Sequence, residues 1–577
     1  MYRPFTAIPV CSGVAVRYSG QPRYLAGMQS PPRVSDMATR IAVAAAYFFI
    51  LFVIGLLART RQRGDASQYF LAGRSLRTPL LLMTMATTNF SAFTVFGASG
   101  AGYRDGLAFL PIMAFGTGFM ALTFWLIGRK VWQHGQTHDL ITPAELVRQR
   151  YSSGPVAMLV AVVLVVFTVP YLALQPMAAG TVLGQMFGLP DWVGAAAVTI
   201  AIVLYTMRGG MRAVAWTDAF QGMLLVSVLL LALALVVSRH GGWNAAFATT
   251  LDRYPGLFSR PGLQGVYTPA IWFSFLALWF FCDPMFPQLF QRFYAARDEK
   301  ALGRTMLVYP LVCTVVFAPP VLIGMLGHLS VPGLTGKDAD GILALVMTGM
   351  GSDLMGTLVL TAGLAALMST MDSQLLTLSS IVSRDLWPRL ARGRTPGLAT
   401  SRLLVLLLAG TGLLVALITD ATILELGVTA FTGFAVLFPT VLFGLYLGKP
   451  RPAAALTSII SGEATVAAYH LGLLPTFGFL SAVPAMACAT VVYLVVHLAT
   501  GRAGMPTITR TWMLYIAAFS AIFLLAQDYW RWGETGPVVL GLPAWCWYFV
   551  GLSAAQMVVT GFLLKKTCPV SRATLQE

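Results

Sequence analysis

The stretch AGLAALMSTMDSQLLTLSSIVSRDLW, residues 362–387, begins as an apolar membrane segment and then becomes rich in hydroxyl side chains. A helix in hydrocarbon gains little from many hydroxyls unless they line a path or contact another helix. Ser369 and Ser373 are four residues apart and share one helix face, as do Ala366 and Thr370. Hydroxyl and carbonyl oxygens are the ligands that small hard cations accept. The pattern therefore permits two interpretations, a cation site or helix packing through small residues.

The composition around this stretch is that of a polytopic membrane protein. The chain has 577 residues, of which 57% are hydrophobic and 10% charged, and its mean hydropathy is +0.74. We predict an all-α fold of about fifteen transmembrane helices, each long enough to cross about 30 Å of hydrocarbon. The predicted spans lie near 39–58, 78–102, 106–128, 156–187, 191–207, 213–238, 268–290, 302–328, 350–382, 400–419, 422–447, 452–473, 478–499, 511–527 and 539–564.

The net charge of +16 is distributed as a topology signal. Arg and Lys concentrate in alternate short loops, and the longer loop 239–267 is the main exception. The positive-inside rule then places the N-terminus outside and the C-terminus inside, in the inner or plasma membrane. Nucleic acid is not an expected partner; the expected partners are the lipid bilayer and a small solute, and the oligomeric state stays open. The basic loops lie near 59–77, 129–155, 208–212, 292–304, 384–394, 449–451, 502–510 and 565–566.

The two ends of the chain carry little information about fold. Residues 1–38 contain four arginines although the predicted topology puts them outside, so we expect a disordered extension or a true start at Met37. The tail 565–577 is expected to be a short cytoplasmic segment. No soluble domain is expected after the last span, which argues against a membrane sensor. An enzyme is not expected, because no span holds a His-Asp or His-Glu pair at helical spacing.

Two predicted spans are interrupted by polar residues or prolines. The second contains the run 87–91, TTNFS, and the seventh contains 282–287, CDPMFP. Proline removes a backbone donor and leaves a carbonyl upstream without its partner. Transporters with inverted repeats place such breaks around their binding site, at corresponding places in the two halves. We therefore predict two halves, 78–238 and 268–447, preceded by an extra helix over 39–58 and followed by additional helices over 452–564.

Six stretches together resemble the sodium:solute symporter family, over about residues 39 to 450. AALMSTMDSQLLTLSS followed by SRDLW resembles the eighth core helix of that family. The resemblance implies a leucine-transporter-type fold with a five-plus-five inverted repeat. It also implies sodium-coupled import of a small organic solute by alternating access, with Na⁺ as the coupling ion. The other stretches are ATTNFSAFTVFGASGAGY (86–103), VPYLALQPMAAG (169–180), GGMRAVAWTDAFQ (209–221), QRFYAARD (291–298) and the looser FTGFAVLFPTVLFGLYLGKP (431–450).

The resemblance also assigns a sodium site between the first and eighth core helices. Its positions in this chain are the backbone of Thr87 and Phe90, together with Ala366, Ser369 and Thr370. The alternative for the two hydroxyls is a bond to the carbonyl four residues back in their own helix. A proton-coupled symporter on the same fold is the alternative function.

Asp218 lies in the sixth predicted span, where a carboxylate is costly and by default a candidate for function. The resemblance implies an effect on sodium binding, with a possible second ion site formed together with Ser373 and Asp372. The alternative is an interfacial aspartate paired with Arg208 or Arg212.

Asp283 lies in the break of the seventh span and is a candidate for binding a cationic group of the solute or for carrying a proton. Its alternative role is to cap the second half-helix. QRFYAARDEK is expected to be a cytoplasmic hinge loop, with Arg292 and Arg297 near the inner surface. The candidate substrate-lining residues are Asn89, Ser91, Thr94, Tyr171, Gln175, Trp279, Asp283, Phe286 and Thr432.

Overall fold

The computed structural model describes residues 34–58, 66–350, 353–391, 398–475, 477–500 and 509–567. The predicted N-terminal extension up to residue 33, and the tail after residue 567 with its cysteine, lie outside these ranges. Within them the chain is helical apart from loops and one antiparallel pair of two-residue strands, β1 (Val538–Val539) and β2 (Leu542–Pro543). The first helix begins at Val34, so Met37 lies inside it.

The helices up to residue 253 include α1, which precedes the predicted first half. Short π-helical turns at Phe93–Gly97 and Phe124–Gly128 continue two of them. In chain order these helices are α1 (Val34–Leu57), α2 (Ala66–Leu71), α3 (Thr78–Asn89), α4 (Ala98–Asp105), α5 (Phe109–Met120), α6 (Arg129–His138), α7 (Pro143–Tyr151), α8 (Gly154–Phe187), α9 (Asp191–Arg239) and α10 (Trp243–Arg253).

The helices after residue 253 include α15, which holds most of the hydroxyl-rich stretch, up to Ile381. In chain order they are α11 (Pro269–Cys282), α12 (Pro287–Ala295), α13 (Glu299–Leu326), α14 (Ile342–Thr348), α15 (Asp353–Ile381), α16 (Trp387–Leu390), α17 (Leu398–Ile418), α18 (Ile423–Val436), α19 (Phe438–Tyr446), α20 (Pro452–His470), α21 (Ala482–Ala499), α22 (Arg510–Leu525) and α23 (Ala544–Thr567).

Every predicted span overlaps at least one of these helices. Within the described residues, ten helices are long and apolar enough to cross a membrane, and an eleventh is added if the bent pair α11 and α12 forms one span. The structure is therefore an all-helical membrane bundle with about ten candidate spans. The count of fifteen and the orientation of the termini stay predictions.

The connection predicted at 208–212 is a break inside α9. Gly210 has a φ of +66°, a backbone conformation that side chains other than glycine rarely adopt. A Cβ atom at this position would lie 2.9 Å from the carbonyl oxygen of Tyr69. Glycine is therefore required both for the turn and for the close approach of α2.

The hydroxyl-rich helix α15 lies at the centre of the bundle. In its apolar window 83% of residues are buried inside the protein, against 11% for α1, which faces outward. It packs against α9, α8, α3 and α1. The central position explains how a membrane helix can carry so many polar side chains, because protein rather than lipid surrounds them.

Candidate ion and substrate site

Both predicted helix breaks are present. α3 ends at Asn89, Phe90 adopts an extended conformation (φ −85°, ψ 95°), and helical geometry resumes at Ala92. On the other side, α11 and α12 are bent by 54° at the turn Asp283–Phe286, where Pro284 and Pro287 lack the N–H that a continuous helix needs. The breaks free backbone carbonyls in the middle of the bundle.

The hydroxyls of α15 meet the carbonyls at the end of α3. Ser369 Oγ donates to the carbonyl oxygen of Thr87 at 3.2 Å and to that of Ala366 at 2.8 Å. Thr370 Oγ1 donates to the carbonyl oxygen of Thr88 at 3.1 Å. All of these residues are buried. Four of the five predicted sodium-site residues thus lie where α3 and α15 touch.

The fifth residue, Phe90, belongs to the same break. Its amide donates to the carbonyl oxygen of Ala86, and its ring lies 6.4 Å from that of Tyr309 and 5.5 Å from that of Phe317, between centroids. The side chain packs in the protein interior, so only its backbone remains for a cation. Sodium binding by the Phe90 carbonyl stays a prediction.

Bonding within the helix occurs in part at Ser369 and again further along the hydroxyl-rich stretch, but not at Thr370. Ser379, Ser380 and Ser383 donate to carbonyls three or four residues back, at 2.7, 2.7 and 2.5 Å. Thr370 instead bonds across to α3. One turn of α15 therefore faces the break. Beyond it, Ser379, Ser380 and Ser383 bond locally, whereas Thr377 donates to Gln291 Oε1 of α12 at 2.7 Å.

Asp218 is buried in a cluster with Arg292. The guanidinium Nη2 lies 2.9 Å from Asp218 Oδ2, and both side chains have 0% exposure. Thr84 and Thr88 donate to the same oxygen at 2.5 and 3.2 Å. The other oxygen, Oδ1, has no hydrogen-bond partner within the described residues. The expectation of a hinge loop with Arg292 near the inner surface is wrong, because α12 carries this side chain into the bundle.

Arg292 also reaches the residues predicted to form a second ion site. The same Nη2 lies 2.8 Å from Ser373 Oγ, and Ser373 lies 3.2 Å from Asp372 Oδ1. Asp218, Ser373 and Asp372 are therefore brought together as predicted, but around a guanidinium. The predicted pairing of Asp218 with Arg212 is replaced by the pair with Arg292; the Arg208 side chain lies outside the described residues.

Between the two breaks lies a small cavity of about 20 Å³. Seven of the nine predicted substrate-lining residues contribute to its wall: Asn89, Ser91, Thr94, Tyr171, Trp279, Asp283 and Phe286. The sequence interpretation missed five further lining residues: Phe93, Met113, Thr117, Phe317 and Phe431. Phe93 and Phe431 lie inside the stretches that resemble the family, but no spacing rule distinguishes them from packing residues.

Gln175 and Thr432 lie outside this wall. Gln175 Oε1 accepts a hydrogen bond from the backbone N–H of Ala92 at 3.2 Å. Its amide therefore satisfies a backbone donor just after the α3 break. Thr432 Oγ1 donates to the carbonyl oxygen of Val428 at 2.8 Å in its own helix. Both were placed on the correct helices, but their polar groups are used by the backbone.

Asp283 lines the cavity. Among the described residues, its carboxylate accepts hydrogen bonds from neutral donors only. Its Oδ2 accepts from Asn89 Nδ2 at 3.3 Å and its Oδ1 from Cys282 Sγ at 3.3 Å. Phe286, not Asp283, is the residue that caps α12, so the helix-capping role is wrong. No ion pair of the described residues includes Asp283.

Aromatic rings surround the cavity beside this carboxylate. The rings of Tyr171, Phe286 and Phe431 lie 4.9 to 5.2 Å from one another between centroids, and Trp279 lies 5.6 Å from Phe431. Aromatic faces attract cations, most strongly where water is excluded. A carboxylate next to such faces favours a positively charged or zwitterionic guest.

A sequence model of the sodium:solute symporter family matches residues 69–462. The chain belongs to the sodium:solute symporter family. Among its relatives, the sodium/pantothenate symporter of Escherichia coli (strain K12) is 28% identical over 458 residues, which cover 78% of this chain and 94% of that protein. A sodium/proline symporter of Staphylococcus aureus (strain bovine RF122 / ET3-1) is 26% identical over 479 residues, covering 80% and 92%.

Solved structures agree with this membership at the level of fold. A Na⁺-coupled sialic acid symporter in a substrate-bound, outward-open state aligns with a TM-score of 0.68 at 18% identity, covering 81% of this chain and 99% of that one. A nucleobase-cation-symport-1 family transporter in a closed conformation aligns with a TM-score of 0.52 at 12% identity, covering 81% and 99%. The resemblance to the sodium:solute symporter family, inferred from the six sequence stretches, is confirmed.

Membership of the sodium:solute symporter family fixes the class of activity. The protein is a multi-pass membrane symporter of the plasma membrane that couples a small-molecule solute to Na⁺, and it is not an enzyme. The predicted function and coupling ion are confirmed at this level. Alternating-access import is consistent with the two broken helices around the central cavity.

Proposed function

We propose that this symporter imports a cationic or zwitterionic organic solute together with one Na⁺, bound by the backbone of Thr87 and Phe90 and by Ala366, Ser369 and Thr370. The observation that carries the proposal is the contact between the α15 hydroxyls and the carbonyls at the α3 break. Carbonyl and hydroxyl oxygens from two helices suit a small hard cation. A cation between them would add a direct tie between the two halves of the molecule.

The topology that we propose is the five-plus-five inverted repeat, with halves over 78–238 and 268–447. About fifteen spans, with the N-terminus outside and the C-terminus inside, satisfy the distribution of Arg and Lys in the loops. The helix over 39–58 and the helices over 452–564 lie outside the repeat. The two helix breaks support this division, because each begins one half and both border the same cavity.

Arg292 supports a stoichiometry of one sodium. A second ion that bridged Asp218 Oδ2 and Ser373 Oγ would compete with the Nη2 of Arg292, which already lies 2.9 and 2.8 Å from these atoms. The guanidinium also supplies the positive charge that a buried aspartate needs. Arg292 therefore takes the place of the possible second ion with Asp218, Ser373 and Asp372.

The charge of the solute follows from Asp283. A buried carboxylate without a cationic partner is costly, and the cost is removed by a ligand cation or by a proton. Asn89 and Ser91, which also line the cavity, can bond a carboxylate or hydroxyl on the same solute. An amine or amino acid satisfies both groups, whereas a simple anion would face the charge of Asp283.

Transport in proteoliposomes tests this proposal. A thermal-shift screen of amino acids, amines, sugars, carboxylates and vitamins, with and without sodium, identifies the solute. The reversal potential of the solute-dependent current then gives the number of ions per solute. We expect one sodium per solute and no uptake driven by a pH gradient alone. Two sodium ions would contradict the role of Arg292, and uptake driven by protons without sodium would favour the proton-coupled alternative.

A further inference from the structure

A second cavity is an apolar chamber away from the ion and substrate site. It has a volume of about 910 Å³ and lies between α5, α11, α19, α22 and α23. Phe280, Phe443, Phe519 and Phe523 contribute to its wall, and Ser520 is the only lining residue whose side chain is neither apolar nor aromatic. We call this cavity the α22 chamber.

The α22 chamber separates α22 from the core of the bundle. α22 packs mainly against α23, and the space on its inner side is the chamber. Water cannot fill such a space well, because a buried water needs two to four polar partners. A void of this size would also remove dispersion contacts from all the side chains around it. An apolar occupant is therefore required, and the surrounding membrane supplies hydrocarbon chains.

Three basic residues lie close, in space or in sequence, to lining residues at one end of the α22 chamber. Lys130 Nζ lies 5.9 Å from the ring of Tyr446, a lining residue. Arg510 begins α22 two residues before the lining residue Trp512. Lys565 follows the lining residue Leu563 by two residues, near the end of α23.

Lys130, Arg510 and Lys565 form no ion pair within the part of the chain that the structure describes. The neighbouring Arg129 does, with Glu299 at 2.8 Å. α22 and α23 run antiparallel, since the Tyr548 hydroxyl near the start of α23 bonds the carbonyl oxygen of Leu525 at the end of α22. Arg510 and Lys565 therefore lie at the same end of the helix pair.

The opposite end of the α22 chamber is aromatic. The ring of Phe523 lies 5.7 Å from that of Phe119 and 5.9 Å from that of Phe273, between centroids. Phe523 is eleven residues along α22 from Trp512, or about 16 Å at 1.5 Å per residue. The chamber thus has an unpaired basic end and an apolar end separated by the length of an acyl segment.

We infer that the α22 chamber binds an anionic phospholipid, with its acyl chains in the chamber and its phosphate near Lys130, Arg510 and Lys565. Basic residues next to a membrane helix attract anionic headgroups within a Debye length of the surface. The apolar lining contributes affinity in proportion to the acyl area that it covers.

The bound lipid would contact the back of the helix that forms the substrate cavity. Phe273, Ala277 and Phe280 of α11 line the chamber, whereas Trp279 of the same helix lines the substrate cavity. α11 ends at Cys282, next to Asp283. Any movement of α11 during transport therefore changes the space that the lipid fills. This consequence for transport rests on the proposed function; binding of the lipid does not.

Native mass spectrometry of the detergent-purified full chain tests the lipid site. The protein is titrated with phosphatidylglycerol or phosphatidylcholine of identical acyl chains, without sodium or solute. We expect phosphatidylglycerol to be retained at least tenfold better. The triple variant Lys130→Gln/Arg510→Gln/Lys565→Gln should lose this preference. The control Arg239→Gln/Arg253→Gln/Lys337→Gln removes the same charge from exposed positions elsewhere and should keep it.

A second variant tests the chamber itself. Ser520→Trp occupies part of the space without changing charge, and it should lower the retention of both lipids while its elution profile stays monodisperse. Inorganic phosphate should neither displace the lipid at millimolar concentration nor stabilise the protein. Equal retention of the two lipids, or full retention by both the triple variant and Ser520→Trp, would overturn the proposal. A failure of sodium-coupled transport in the uptake assay would leave this result unaffected.

Discussion

Two buried aspartates in this protein have opposite surroundings. Asp218 accepts hydrogen bonds from two threonines and pairs with the guanidinium of Arg292 at 2.9 Å. Asp283 accepts from an amide and a thiol, and no ion pair of the described residues includes it. One carboxylate is compensated by the chain itself, and the other lines a cavity.

The difference assigns different roles to the two carboxylates. A compensated buried pair mainly holds its helices together, and removing one partner leaves an uncompensated charge. Arg292 and its partners connect α12, α9, α3 and α15, which include one half-helix beside each break. An uncompensated carboxylate can attract a ligand instead. The following variants test the difference between the two aspartates.

The largest effect is expected from Arg292→Ala. It removes the positive charge from a buried cluster and should cost about 3 to 5 kcal/mol of stability, as for other broken buried pairs. We expect little monodisperse protein by fluorescence-detected size-exclusion chromatography. The double variant Arg292→Gln/Asp218→Asn removes both charges and should recover much of the yield. Normal yield and uptake for Arg292→Ala would show that the cluster does not hold the bundle.

Sodium binding is tested by Ser369→Ala/Thr370→Ala. An ion that binds only the folded protein stabilises it by RT ln(1 + [L]/Kd), about 2.7 kcal/mol at one hundred times Kd. The wild-type protein should therefore melt at higher temperature in sodium than in potassium of equal ionic strength. The double variant should lose this difference.

Ser379→Ala/Ser380→Ala is the matched control for the sodium site, because these hydroxyls bond carbonyls of their own helix. It should keep the sodium-specific shift. A sodium shift that survives in Ser369→Ala/Thr370→Ala would refute the assigned site. Loss of the shift in both variants would mean that any hydroxyl removal from α15 perturbs the helix, and the site would then lack its support.

Asp283→Asn should weaken solute binding and leave sodium binding nearly unchanged. Hydrogen bonds to charged groups contribute about 1.5 to 3 kcal/mol, so the apparent KM should rise about tenfold to a hundredfold. The asparagine has almost the same size and can still accept from Asn89. Uptake kinetics measure KM, and the sodium-specific melting shift measures ion binding. If the variant loses the sodium shift and keeps its solute affinity, Asp283 belongs to the ion pathway.

The sequence predicted those parts of the site that depend on local chemistry. The hydroxyl run on α15 and the prolines at 284 and 287 identify a polar helix face and a helix break without knowledge of neighbours. Of the nine predicted lining residues, seven were correct: six lie at or near the breaks in the chain, and Tyr171 lies in the stretch 169–180 that resembles the family. The fold could be predicted from the family motifs and the lengths of the apolar segments.

Arg292 was missed because its environment is set by tertiary structure. It lies five residues after Pro287 in a short helix followed by basic residues, which resembles a cytoplasmic loop in sequence. Its partner Asp218 precedes it by 74 residues. Asp218 itself was a sequence signal, because a carboxylate inside a membrane span needs a cationic partner. The same applies to Gln175 and Thr432. The sequence predicted the helix that carries each residue, but not the backbone group to which its side chain bonds.

The smallest effect is expected from Cys282→Ala, which separates the charge of Asp283 from its hydrogen bonds. The thiol is a weak donor, and it lies 3.3 Å from Asp283 Oδ1. Its removal leaves the carboxylate charged and leaves the Asn89 donor in place. We expect less than a twofold change in KM in the same uptake assay, against at least tenfold for Asp283→Asn. If Cys282→Ala raises KM as much as Asp283→Asn, then the position of the carboxylate rather than its charge determines affinity. The contrast with Asp218 would then lose its basis, because both aspartates would depend on the hydrogen bonds that orient them.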